Sequence, residues 1–270
     1  MKTKYFTVFG VLCLLLMIVS NKPAYANALI DTSRVGDGIV KYEYLGDLSK
    51  TSVVVMLEYD GGSRINPRMQ SSPSVLPLTR GAGKYDFWVA EVLPNGRAKA
   101  LIHESAELRT APDEKVMYTF SNMNVNFDAS KTVIPEYKQL TDGHDVDDKI
   151  DILYEEVVNN YVYDYDKAKA VTGGSLTSYL PDLDEIYKLK KGICFDYSAM
   201  LAGALRSQGV PVKLCKGYAA DIGEYHAWNE ILVDDKWLIV DATVDAAYAE
   251  VGLKYDFEKD GSKYKASSYF

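Results

Sequence analysis

Three residues in the second half of this 270-residue chain could perform nucleophilic chemistry together: Cys194, His226 and Asp241. Cys194 follows Gly192 and opens an alanine- and leucine-rich stretch expected to be a helix from 194 to 208. Free amides and the positive end of a helix favour an anion at that point, so a thiolate there is stabilised as a nucleophile. The bland alternative is a small buried hydrophobe, the usual fate of an isolated cysteine. His226 opens an expected strand, where an imidazole beside the thiol could form an ion pair with it and later protonate a leaving group. Asp241 ends the next strand. A two-residue turn at Asp234-Asp235 pairs residues whose numbers sum to 469 and leaves Asp241 one step from His226 across the ladder. A carboxylate in reach of the ring fixes its tautomer and steadies the imidazolium.

The elements that must carry these residues follow from periodicity. Three strands are expected at 212–220, 225–233 and 237–240, after the cysteine helix. Before it, 183–191 is a short helix stopped by Gly192, and 163–182 is a loop rich in tyrosine and glycine. Val146, Ile150, Leu153, Tyr154, Val157 and Tyr161 form an apolar stripe at helical spacing. Asp145, Asp147 and Asp148 suit the start of that helix. They lack the glycine and distal glutamate of a calcium loop. Residues 128–143, with Pro135 and few apolar positions, read as a linker.

Residues 28–127 read as a β-sandwich, because residues 53–59, 85–93, 97–103 and 116–127 alternate or are rich in β-formers, with turn signals at Gly61-Gly62 and Pro94-Asn95-Gly96. No constellation of reactive groups lies there, and His103 is a surface or core residue. His144 is expected at the surface and Cys215 in the core.

At the start, Lys2 and Lys4 precede an apolar run from Val8 to Val19, and Ala24-Tyr25-Ala26 offers small residues before a cut. Residues 1–26 therefore read as a secretory signal cleaved after Ala26, giving an extracellular protein with no membrane attachment after cleavage. The run is short for a spanning anchor. Lipid attachment at Cys13 is disfavoured by Leu12 before it. Cleavage removes Lys2, Lys4 and Lys22 and no acid, making the net charge of −8 three units more negative. So acidic a chain is a poor partner for nucleic acid or anionic lipid. Only Cys194 and Cys215 remain, so a disulfide-built domain is excluded. No metal, nucleotide or flavin motif is present, and no cofactor is expected.

Gly192-Ile193-Cys194-Phe195-Asp196-Tyr197-Ser198 resembles the cysteine motif of the transglutaminase-like superfamily. His226-Ala227-Trp228-Asn229-Glu230 resembles its histidine motif, and Lys236-Trp237 through Val240-Asp241-Ala242-Thr243 its aspartate motif. The resemblance covers roughly residues 145–245, and the preceding β-domain looks like that of secreted bacterial members. Ala242 stands where proline is usual and Ser198 where alanine is, and neither change removes a reactive group.

The resemblance implies an α+β, papain-like core at 144–270. Cys194 would be its nucleophile, His226 its general acid–base and Asp241 the orienter. Trp228 could shield the imidazole, or it could pack over the hairpin with Trp237. Asp196 and Tyr197 would brace the helix. The Cys194 amide is the expected oxyanion donor, with the second donor open. The reaction class is acyl transfer on a protein or peptide amide through a thioester. Hydrolysis makes a cysteine protease, attack by an amine makes a glutamine-directed transglutaminase, and a non-catalytic wall- or protein-binding module is the third reading. The β-domain could provide cell-surface association.

Overall fold

The computed structural model describes residues 27–270. The expected signal segment, its cleavage point and Cys13 lie outside the described residues. Among those described, no helix is long and apolar enough to cross a membrane.

The N-terminal half is a sandwich of two antiparallel sheets. One orders β1 (Ala28–Asp31), β2 (Ile39–Tyr44) and β5 (Ser74–Pro77); the other orders β4 (Ser63–Ile65), β3 (Val53–Tyr59), β6 (Gly83–Val92) and β7 (Ala98–Leu108). The two-residue period works as expected. Val53, Val55 and Leu57 of β3 are buried and pair with Glu91, Val89 and Phe87 of β6. Gly96, at φ 76°, turns the chain from β6 into β7. This core draws on residues between 28 and 123, and a second core on residues between 125 and 246.

The stretch 116–127 is not the expected strand. Asp113 caps a short helix, α1 (Glu114–Met117), by accepting from the Lys115 amide. Farther on, the Asn122 side chain accepts from the amides of Asn124 and Val125 and folds the chain into a turn. Local side-chain bonds of this kind compete with a ladder, and periodicity does not register them. The expected linker also carries structure. Its residues 133–140 form α2 (Val133–Leu140), with Val133, Ile134 and Tyr137 buried in the second core. Pro135 sits in the first turn, where its missing N–H has no intrahelical partner to lose. Asp184 accepts from the amides of Lys131, Thr132 and Val133 and so caps this helix from a distant part of the chain.

α3 (Val146–Asn160) buries Ile150, Leu153, Tyr154 and Val157, while Val146 is exposed. A two-stranded parallel pair follows, β8 (Val162–Tyr163) with β9 (Lys191–Gly192). Between them the expected loop at 163–182 holds α4 (Tyr165–Thr172), capped by Asp164 through the Lys167 amide, and the expected short helix follows as α5 (Leu183–Leu189). α5 ends at Lys190 in the left-handed region, φ 48°, rather than at Gly192.

α6 (Cys194–Arg206) is buried from Phe195 to Arg206, which accounts for its run of alanine and leucine. It packs on a four-stranded antiparallel sheet ordered β12 (Lys236–Val240), β11 (Tyr225–Val233), β10 (Val212–Ala219), then a final strand after α7 (Ala242–Glu250), namely β13 (Tyr264–Tyr269). The result is a mixed α+β core behind a β-sandwich.

Candidate active site

Cys194 is the first residue of α6, so its amide has no acceptor within the helix. The turn before it is held by Asp196. Its Oδ2 accepts from the Ile193 amide at 2.8 Å and from Lys167 Nζ at 2.9 Å, and its Oδ1 from the Tyr179 hydroxyl at 2.6 Å. Asp196 is fully buried, and Lys167 balances its charge. Gly192 is required by the same packing: a Cβ there would lie 2.6 Å from the Asp196 Cβ. Asp196 thus braces the helix start.

His226 lies opposite Gly217 in the ladder of β10 and β11. The hairpin of β11 and β12 has the register read from its turn: Asp234 and Asp235 both take positive φ, and Glu230 pairs with Ile239. The last pair is Asn229 with Val240. Past it the chain leaves the sheet, and Asp241 reaches His226 Nε2 with Oδ2 at 2.8 Å. Cys194 is near enough for its charge to act on the imidazole, and with Nε2 engaged by Asp241, Nδ1 is the nitrogen left to face the thiol. Burial alone would pull the imidazole pKa down. The bond to Asp241, and the nearby Asp241 and Cys194 charges, outweigh it and raise it to about 10. A cationic ring at neutral pH can balance a thiolate at Cys194.

Asp241, fully buried, has two further partners. Oδ1 accepts from the Val244 amide at 3.2 Å, which makes Asp241 the cap of α7. Oδ2 accepts from the Tyr264 hydroxyl at 2.9 Å. The Trp228 ring lies 6.4 Å from the imidazole at 20°, and Tyr264 meets Trp228 edge-on at 5.2 Å. Trp237 packs instead on Tyr118, away from the imidazole.

Two of these neighbours carry no signal in the sequence. Tyr264 comes from β13, in a tail with no motif. Lys216 looks like an ordinary strand lysine, yet its Nζ lies 3.3 Å from the centre of the Phe195 ring and 3.5 Å from Asn124 Oδ1. Burial lowers its pKa to about 8, and the Cys194 charge pulls it partly back up. The other cysteine, Cys215, is fully buried and its thiol is pushed well up by burial. His103 stacks on Trp88 and bonds Asp86 in the sandwich, and His144 lies at the surface beside Asp148; neither joins the site. Among the described residues no cluster of histidine, cysteine and acidic side chains could hold a metal ion.

Residues 135–242, a span that includes Cys194, His226 and Asp241, match the family described as the transglutaminase-like superfamily. A UPF0252 protein of Methanocaldococcus jannaschii is 29% identical over 105 residues, covering 37% of this chain. The match takes in 30% of that relative's length. A solved structure described as a candidate cysteine protease from Cytophaga hutchinsonii is 15% identical, with 72% of this chain and 64% of that one covered and a TM-score of 0.39. The periplasmic domain of TgpA from Pseudomonas aeruginosa is 14% identical, with 74% and 93% covered and a TM-score of 0.32.

Proposed function

Taking residues 135–242 as a transglutaminase-like domain, we propose that this protein is a cysteine-nucleophile enzyme that cleaves peptide amides through a thioester. The observation that carries the reading is the bond from Asp241 to the His226 ring, with Cys194 beside that ring at the start of a helix.

In this mechanism the Cys194 thiolate attacks the amide carbonyl, and the carbonyl oxygen becomes an oxyanion facing the Cys194 amide. His226 gives its proton to the departing nitrogen as the C–N bond breaks, leaving a thioester and a neutral imidazole. Water then attacks the thioester and loses a proton to His226. The C–S bond breaks, the acid departs, and the thiolate–imidazolium pair is restored. Asp241 holds the ring in the tautomer and orientation both steps need. The chain acts outside the cell after loss of residues 1–26, which N-terminal sequencing of secreted material tests: a product still beginning at Met1 overturns it.

The test of the chemistry is a mass spectrum of casein after incubation, with and without a primary amine, against Cys194→Ala. New fragments that vanish with the variant support hydrolysis. Amine adducts without fragments make the protein a transglutaminase, and unchanged casein favours a binding module. In parallel, iodoacetamide at mildly acidic pH should label Cys194 well before Cys215; equal labelling removes the activated thiol.

A further inference from the structure

A cavity of about 220 Å³ lies against the face of His226, between α7 and the β8–α4 segment. Tyr161, Tyr163, Tyr165 and Tyr197 wall it, with Glu250 from the end of α7. His226 is in the wall and Cys194 is not, so the cavity belongs to one side of the reacting bond. The acyl part of a substrate stays on Cys194, and the nitrogen that takes the His226 proton leaves on the histidine side. The cavity therefore faces the amine half of the substrate.

We propose that this cavity is a subsite for a cationic side chain, lysine or arginine, on the residue that follows the cleaved bond; the assignment rests on the cysteine-enzyme reading above. Its chemistry is that of a cation site. Glu250 is the single carboxylate in the wall, and no lysine or arginine lines it. Glu250 is close enough to Tyr197 for its charge to act on that phenol. Tyrosine faces attract ammonium and guanidinium groups. The positive charge of His226 does not oppose a second cation strongly, because Asp241 is bonded to the same ring and the Cys194 charge acts on it. Val162 and Tyr165, also in the wall, are exposed and offer apolar contact to the stem of a long side chain.

The experiment uses peptides that differ only in the residue after the cleaved bond: lysine, its uncharged isostere norleucine, and glutamate. Lysine should exceed norleucine in kcat/KM by about tenfold, the scale of one cation–π contact with a nearby carboxylate. Glu250→Gln should collapse that ratio, and Glu250→Lys should turn the preference toward glutamate. A lysine-to-norleucine ratio near one in the native protein, or a ratio that Glu250→Gln leaves in place, overturns the subsite. If no peptide is cleaved, the enzyme reading fails by itself. The subsite is then decided by calorimetric binding of the same peptides to Cys194→Ala, where equal affinity for lysine and norleucine overturns it.

Discussion

Asp241 does two jobs with one carboxylate, and a single substitution separates them. Asparagine caps a helix about as well as aspartate, so Asp241→Asn should keep the bond to Val244 and melt close to the native protein. It brings no charge to His226 and can hold the wrong tautomer, so turnover should fall at least a hundredfold. An unchanged rate would leave a Cys194–His226 pair with a merely structural aspartate. Lys216 supplies a second test at this scale. Its folded pKa of about 8 lies below its usual value of 10.5. The unfolded chain therefore holds more protons between these values, and stability rises with pH across that window. Below pH 8 the buried charge costs in full, so Lys216→Met should stabilise the protein at pH 7 by on the order of 1–3 kcal/mol. The gain should vanish near pH 10.5; an equal gain at both pH values would mean that packing, not charge, is responsible. Cys194, His226 and Asp241 were legible because residue type, spacing and a two-residue turn are local. Tyr264 and Lys216 were not, because they acquire their meaning from a strand pairing that no local pattern encodes.

At the scale of elements, β13 deserves a test because it brings Tyr264 to Asp241. It pairs with β10 across an irregularity at Lys216/Gly217, where a Cβ on Gly217 would stand 2.1 Å from the Lys265 carbonyl oxygen. Gly217→Ala should push β13 away and lower turnover, while Leu201 and its neighbours keep α6 folded. Far-ultraviolet dichroism near native with activity lost is the expected result, and full activity would show that β13 can move freely. Helices and strands with long, strong periods were readable: α3, α6 and the β10–β12 sheet stand where the pattern puts them. Three segments were misread for one reason. In α1, α2 and α4 the start is set by a capping carboxylate, Asp113, Asp184 or Asp164, and in α2 that carboxylate is some fifty residues away in sequence.

For the whole molecule, we propose two folding units that meet earlier than residues 128–143. Leu180 packs on both cores, and Arg206, itself buried, donates from Nε to the Val212 carbonyl at 2.7 Å and from Nη1 to that of Phe120 at 3.0 Å. The Val212 amide in turn donates to the Tyr118 carbonyl. A chain cut to begin at Thr141 loses α2 with its three buried side chains and should be insoluble, since each such loss costs about 2–5 kcal/mol. One beginning at Asp113 keeps these bonds and should fold with a reactive Cys194. If both fold equally well, α2 contributes little; if neither folds, the sandwich is part of the same unit. The bond from Tyr264 to Asp241 also has a consequence in time. A ribosome releases residues 194, 226 and 241 before residue 264, so these three side chains emerge without the hydroxyl and the strand that complete their surroundings. Under the proposed function, the nascent chain carries its nucleophile in an unfinished setting, and full reactivity waits for the closing of β13 on β10.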